Sequence, residues 1–167
     1  MSMYGKEVQV NPGRKNSVKK GKVIGMSKVA VVYWSGTGNT EMMAQAVLEG
    51  AKSNGAEADL FTAGTFNADK VEQYDAIAFG CPAMGAEVLE ESEFQPMFDH
   101  CAVKLRGKKI ALFGSWGWGN GEWMQNWEAQ CRDLGADLGH NSIICANSPE
   151  EDTLADCRDL GGALACI

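Results

Sequence analysis

Residues 35–40 (SGTGNT), a run of six small or hydroxyl-bearing residues, are the segment of this sequence best suited to bind an anion. Two glycines let the backbone turn several N–H groups toward one point, and the hydroxyls and the amide add uncharged donors. A strand-like run precedes the segment and a helical pattern follows it, so the unpaired N–H groups of a helix start face the same point. Gly-Lys-Ser/Thr is absent, and Glu41 stands where a dinucleotide fingerprint needs its third glycine. We therefore predict a phosphate site, and the alternative is an ordinary turn that caps a helix.

Two further loops, residues 82–87 (PAMGAE) and 115–119 (SWGWG), carry large apolar side chains on a glycine-rich backbone. Met84, Trp116 and Trp118 would form a costly exposed patch if nothing covered them. A flat aromatic ligand between the two loops would bury both of its faces. The alternative is that these side chains cover the end of a sheet by packing on each other, and for Trp116 this is nearly as favourable.

Strand and helix patterns alternate along the chain and place these loops. The hydrophobic periodicity predicts strands over residues 28–34, 56–61, 75–81, 108–114 and 137–144, and helices over residues 41–54, 67–73, 92–101, 122–134 and 150–165. This alternation predicts an α/β fold with a parallel sheet covered by helices on both faces. Ligands bind such sheets beyond the carboxyl ends of the strands, which is where all three loops lie.

The charge of the chain is divided unevenly between two segments. Residues 1–25 contain six basic and one acidic residue, a net charge of +5, whereas residues 26–167 contain 9 basic and 21 acidic residues, a net charge of −12. So acidic a domain repels nucleic acid and anionic lipid, and attracts basic protein surfaces. We predict one domain over residues 26–167, preceded by a poorly ordered basic extension that comes from an expression leader or an upstream start codon. A transit peptide is the weaker alternative for this extension.

Membrane insertion and a metal site are both disfavoured. No apolar run approaches the roughly 20 residues of a membrane-spanning helix. The six cysteines form no C-x-x-C pair and have no histidine at ligand spacing, so we expect reduced, mostly buried thiols in a cytoplasmic protein.

Taken together, the three loops resemble the short-chain flavodoxins of anaerobic bacteria. The resemblance rests on residues 35–40, on residues 84–94 (MGAEVLEESEF) and on residues 114–119 (GSWGWG), and it runs from about residue 26 to the C-terminus. It implies a flavodoxin-like doubly wound five-stranded parallel sheet in the order 2-1-3-4-5. It also implies a monomeric low-potential one-electron carrier that is not an enzyme. Such a carrier uses the semiquinone/hydroquinone couple of non-covalently bound FMN to shuttle electrons between redox proteins, such as ferredoxin-type donors and acceptors with basic docking surfaces.

The resemblance also implies roles for particular residues. Met84 and Trp118 would flank the isoalloxazine ring, Glu87 would hydrogen-bond its pyrimidine side, and the peptide of Gly85 would turn its carbonyl toward N5 of the reduced ring. Gly85, Glu87 and Trp118 would thus tune the potential, while Trp34 would contribute to a pocket wall. The full set of expected FMN-binding residues is Ser35, Gly36, Thr37, Gly38, Asn39, Thr40, Pro82, Ala83, Met84, Gly85, Ala86, Glu87, Ser115, Trp116, Gly117, Trp118 and Asn147.

Two positions depart from the pattern of the family. Close relatives often have a hydroxyl residue at Pro82, and proline offers the phosphate neither a hydroxyl nor an N–H. Many relatives have Asp or another polar residue at Ala86, which bears on redox tuning. The acidic run Glu87, Glu90, Glu91 and Glu93 is expected to depress the second reduction potential, and the alternative is that these carboxylates form a solvated face.

Two other functions fit this sequence less well than the carrier. An FMN-dependent NAD(P)H:quinone or flavin reductase needs room for a second planar substrate above the ring, and a stacked Trp118 would occupy that room. A signalling receiver domain needs acidic residues at the end of the first strand, where this chain has Tyr33, Trp34 and Ser35.

Overall fold

In the computed structural model, which describes residues 26–166, strands and helices alternate as the sequence predicts. The elements are β1 (Lys28–Tyr33), α1 (Asn39–Ser53), β2 (Glu57–Thr62), α2 (Ala68–Val71), β3 (Ala76–Gly80), α3 (Phe94–Ala102), β4 (Lys109–Trp116), α4 (Glu122–Asp133), β5 (Asp137–Leu138), β6 (Ile143–Ala146) and α5 (Glu151–Ala165). A 3-10 turn (Ala63–Thr65) follows β2. All strand pairs are parallel, and the order is β2-β1-β3-β4, with β5 and β6 both paired to β4. The predicted order 2-1-3-4-5 is confirmed. The predicted basic extension lies outside the described residues.

The fifth strand is not continuous, which corrects the prediction of one strand over residues 137–144. Ile110 of β4 pairs with Leu138, and Phe113 pairs with Ile143. Three residue steps along β4 thus correspond to five along the edge strand, so residues 139–142 leave the ladder. This stretch contains a glycine and polar side chains and lies at the sheet edge, where a bulge breaks no pairing on the outer side.

Other boundaries differ from the predictions by a few residues. Helix α1 begins at Asn39, directly after Gly38, whose φ of 98° ends the loop in a conformation that favours glycine. Helix α3 begins at Phe94, two residues later than predicted, and α2 is confined to four residues. Strand β4 continues two residues further than predicted, to Trp116.

The sheet is buried on both faces, as its apolar strands predict. Ala30 and Val32 of β1 join a core with α3 and α4, whereas Val29, Val31 and Tyr33 join a second core with α1 and α5. Helices α1 and α5 approach each other so closely that a Cβ on Gly161 would lie 1.9 Å from the Val47 carbonyl oxygen. The second core thereby fixes α1, and with it the loop at its N-terminus.

All six cysteines lie within the described residues and are free thiols. Burial raises the pKa of Cys81, Cys131 and Cys157 to about 12 and that of Cys101 to about 11, so these thiols stay protonated at neutral pH. Across residues 26–166, no helix is both long and apolar enough to cross a membrane.

Candidate functional site

A cavity of about 250 Å³ opens beyond the carboxyl ends of β1, β3 and β4. The three predicted loops and Asn147, which follows β6, surround it. The lining residues are Trp34, Gly36, Thr37, Asn39, Pro82, Ala83, Met84, Ser115, Trp116, Gly117 and Asn147, and each was expected at this site from the sequence. The predicted residues that do not line the cavity are Ser35, Gly38, Thr40, Gly85, Ala86, Glu87 and Trp118.

The loop between β1 and α1 holds its donors in an ordered turn. Ser35 Oγ accepts the N–H of Gly38 at 3.0 Å, and Thr37 Oγ1 accepts the N–H of Asn39 at 3.4 Å. Each hydroxyl oxygen is therefore fixed as an acceptor, and its own proton remains free to donate outward. The first turn of α1 adds unpaired N–H groups and a positive dipole end. Among the described residues, none that lines the cavity is Lys, Arg or His, so an anion here meets only uncharged donors from this part of the chain.

The Thr40 side chain does not line the cavity, and its expected role at the phosphate stays a prediction. Its side chain is 1% exposed, and its Oγ1 lies 3.2 Å from Ser115 Oγ and accepts the Ser115 N–H at 3.4 Å. This buried pair joins the start of α1 to β4.

The loop after β3 is a tight turn that presents Met84 to the cavity. The N–H of Glu87 donates to the Met84 carbonyl at 2.8 Å, and the N–H of Met84 donates to the Val88 carbonyl at 2.9 Å. The positive φ of this turn is at Glu87, at 53°. A Cβ on Gly85 would meet nothing within 4 Å, so the peptide of Gly85 has open space around it.

The Glu87 carboxylate points toward the start of α4. Its two oxygens accept the N–H groups of Asn120 and Trp123, each at 3.4 Å. The carboxyl carbon lies 2.8 Å from where a Cβ on Gly119 would be, so the Met84–Glu87 turn touches the loop after β4. In this position the negative carboxylate interacts favourably with the positive N-terminal end of the α4 dipole. Its predicted bond to the pyrimidine side of a ring stays a prediction.

The two tryptophans at the end of β4 and in the loop after it differ in burial. Trp116 is half-buried, lines the cavity and packs against the core, so the alternative weighed from the sequence holds for part of its surface. Trp118 is 68% exposed, so most of its surface is not packed against the described residues. Asn147 has a φ of 61° and donates its N–H to the Trp116 carbonyl at 2.7 Å, which holds it at the cavity wall.

Two carboxylates have roles that the sequence analysis missed. Glu93 Oε1 accepts the indole N–H of Trp34 at 3.1 Å. Glu90 is 6% exposed, and its carboxylate accepts three backbone N–H groups at the start of α3. The spacing of Glu90 before the apolar run that opens α3 is a signal for such a cap. Only Glu91 and the outer part of Glu93 fit the alternative of a solvated acidic face.

This donor set suits a flat aromatic group that carries a phosphate. Uncharged N–H and O–H donors converge at one end of the cavity, and the Met84 and Trp116 side chains supply apolar walls at the other. FMN has both parts, and the residues present therefore fit it.

Comparison with known proteins agrees with this geometry. The Flavodoxin family model matches residues 31–161. The chain is 44% identical to the flavodoxin of Megasphaera elsdenii over 137 residues, which covers 82% of this chain and 98% of that protein. It is 42% identical to the flavodoxin of Clostridium beijerinckii over 137 residues, with 82% and 99% covered. The solution structure of two-electron reduced Megasphaera elsdenii flavodoxin superposes with a TM-score of 0.74 at 43% identity and covers 83% of this chain and 99% of that one. The chain belongs to the flavodoxin family, FMN-binding proteins that carry electrons at low potential.

Proposed function

We propose that this flavodoxin holds one FMN in the cavity beyond β1, β3 and β4 and passes single electrons between redox proteins without turning over a substrate of its own. The observation that carries the proposal is the cavity itself, which has uncharged anion donors at one end and apolar walls at the other. When bound, FMN supplies reversible one-electron chemistry. The protein binds it, orients it and sets the electrostatic field around it.

The phosphate end is held by the loop between β1 and α1. The hydroxyl protons of Ser35 and Thr37 donate outward, because their oxygens already accept loop N–H groups. The first N–H groups of α1 add to these donors, and the helix dipole favours the negative charge. Pro82 lines the cavity without a donor, so this chain has one hydroxyl fewer here than many relatives.

The ring end is held between the loops after β3 and β4. Met84 already lines the cavity, whereas Trp118 is exposed and would cover the ring on its solvent side. Stacking this aromatic side chain against a flat ring would remove its exposed apolar area from water, which is favourable. The Gly85 peptide has free space around it, so its carbonyl would be able to turn toward a bound ring and accept an N–H there.

Charge around the site sets the potential and the choice of partner. Within residues 26–166 no cationic side chain lines the cavity, and residues 26–167 carry a net charge of −12. Additional negative charge on the ring is therefore disfavoured, which gives a low potential for the second electron. The same charge steers partners with basic docking surfaces, such as ferredoxin-type donors and acceptors. The free thiols suit a reducing cytoplasm, and the chain acts as a monomer.

Reconstitution and reduction test this proposal. The purified protein, incubated with excess FMN and freed of unbound flavin, is expected to contain one FMN per chain. Stepwise reduction with dithionite should then resolve two one-electron steps. A preparation that stays colourless after the incubation would overturn the proposal, and so would steady NAD(P)H oxidation by the protein alone.

A further inference from the structure

Trp34 occupies an unusual place between two empty spaces. One side of its ring lines the 250 Å³ cavity, and the other side lines a second cavity of about 180 Å³ that also contains Glu41, Thr62 and Glu93. The indole is partly buried, and part of its surface packs against the core. Space remains around the rest of the ring, so polar contacts and close approaches to the backbone also determine its position.

Two contacts fix the indole of Trp34. Its N–H donates to Glu93 Oε1 at 3.1 Å, across 59 residues of sequence. At the other edge, two ring carbons lie 3.0 and 3.2 Å from where a Cβ on Gly36 would be. The backbone of Trp34 cannot move to adapt, because its N–H donates to the Gly80 carbonyl at 3.0 Å at the end of the sheet. The indole thus lies against the backbone of the phosphate loop and is held there by Glu93.

Glu93 is itself held firmly. Its own N–H donates to Glu90 Oε1 at 2.8 Å, and Glu90 is buried. Glu93 stands at the N-cap position of α3, at the end of the segment that begins with the Met84–Glu87 turn. The Trp34–Glu93 bond therefore joins the segment that holds the ring end of the cavity to the loop that holds the phosphate end.

We propose that Glu93 is a positioning residue that, through Trp34, holds the Gly36 backbone in the conformation that binds the FMN phosphate. This proposal rests on the proposed function, since it concerns the same cavity. Removing the carboxylate frees the indole to rotate into the adjacent cavity, and the phosphate loop loses the wall that shapes it. The effect falls on the phosphate end, because Met84 keeps its backbone bonds to Glu87 and Val88, and Trp116 ends β4 and packs against the core.

The sign of the expected effect separates positioning from simple electrostatics. Removing a negative charge near the phosphate dianion should strengthen FMN binding by Coulomb's law. Loss of positioning should instead weaken it. Glu91→Ala is a matched control, because Glu91 is exposed and its substitution removes the same charge two residues away from Glu93.

The test compares FMN with riboflavin, which lacks the phosphate. The full-length protein and its variants are stripped of flavin, checked for retained fold by circular dichroism, and titrated with each flavin by fluorescence quenching. Glu93→Ala and Trp34→Phe are each expected to weaken FMN binding about fivefold while riboflavin binding changes less than twofold. Glu93→Gln keeps an acceptor oxygen and should stay within twofold of the wild type. The double variant Trp34→Phe/Glu93→Ala should match the single variants, since both changes break one bond.

Several results would overturn the proposal. These are equal weakening of FMN and riboflavin, additive effects in the double variant, or tighter FMN binding by Glu93→Ala in step with Glu91→Ala. If Glu93→Ala does not fold, Trp34→Phe and Glu93→Gln still give the ratio of the two affinities. Failure of the proposed function would look different, because the wild type itself would then bind no FMN.

Discussion

Glu90 is predicted to be the main stabilising carboxylate of the segment that carries the ring-binding turn. It is 6% exposed, and its oxygens accept the N–H groups of Ser92, Glu93 and Phe94, each at 2.8 Å. Glu90→Ala leaves all three donors without this partner. The buried N–H of Phe94 alone costs about 1–3 kcal/mol, and loss of a helix cap costs about 1 kcal/mol. We therefore expect the free energy of unfolding to fall by about 3 kcal/mol, which for a domain of this size lowers Tm by roughly 10 °C.

The pH dependence gives this prediction a second, independent measure. Burial by itself raises the pKa of the Glu90 carboxyl, but the three backbone N–H groups outweigh it, and the net pKa is lowered. A carboxyl whose folded pKa lies below its unfolded pKa stabilises the fold above the unfolded value, near pH 4.3. That stability is lost as the pH falls through the folded pKa. The difference in Tm between the wild type and Glu90→Gln should therefore be full at pH 7 and shrink below about pH 4.

Thermal unfolding followed by far-UV circular dichroism measures both effects. The flavin-free protein is used at pH values from 7 to 3, so that FMN binding does not contribute to Tm. Glu91→Gln is the matched control, because its side chain is exposed and its loss should change Tm by less than 2 °C. A loss below 1 kcal/mol in Glu90→Ala would refute the argument from burial and unpaired donors. A wild type to Glu90→Gln difference that stays constant down to pH 3 would refute the argument from the lowered pKa.

The remaining predictions concern the cavity. Gly85→Val should lower the midpoint of the first one-electron step in a dithionite titration. The FMN affinity should stay within threefold of the wild type, since a Cβ at this position meets nothing within 4 Å. An unchanged midpoint would exclude the turning of this peptide. Pro82→Ser should tighten FMN binding about threefold, and riboflavin binding not at all, if its hydroxyl supplies one more donor to the phosphate. Trp118→Ala should leave Tm of the flavin-free protein within 2 °C, because the side chain is 68% exposed, but weaken FMN binding tenfold or more by flavin fluorescence. Glu91→Gln should raise the midpoint of the second step by up to about 70 mV at low salt, and by less as salt is added. The figure of about 70 mV is the effect of one charge at a distance of about 10 Å with an effective dielectric of about 20. No shift at low salt would contradict the electrostatic account.

The fold and the outline of the cavity could be predicted from the sequence because both depend on local patterns. Apolar runs specify the strands, and the glycine and hydroxyl content of residues 35–40 specifies a turn before a helix. Every residue that lines the cavity was expected there. The break at residues 139–142 was missed, although a glycine followed by polar side chains is a signal for the end of a strand or for a bulge.

The directions of individual side chains could not be predicted in the same way. Glu87, Glu90 and Glu93 look alike in sequence, yet the first reaches the start of α4, the second caps α3 and the third holds Trp34. Which N–H a carboxylate reaches depends on rotamers and on residues that come near only after folding. Thr40 shows the same limit, since its partner Ser115 lies 75 residues away.

An acidic domain that binds a doubly charged phosphate without a cation must control its affinity for FMN and the reduction potential of the ring by different means. The N–H and O–H dipoles of the phosphate loop act over a few ångströms and are little affected by salt, because the loop is in direct contact with the anion. The carboxylates act over distances near the Debye length, about 8–10 Å at physiological salt, and are readily screened. A lysine in the cavity would strengthen FMN binding, but it would also stabilise negative charge on the ring and raise the potential. Uncharged donors avoid this conflict, so short-range dipoles can set the affinity while distant carboxylates set the potential. Added salt should accordingly shift the second midpoint upward while it changes the FMN affinity much less.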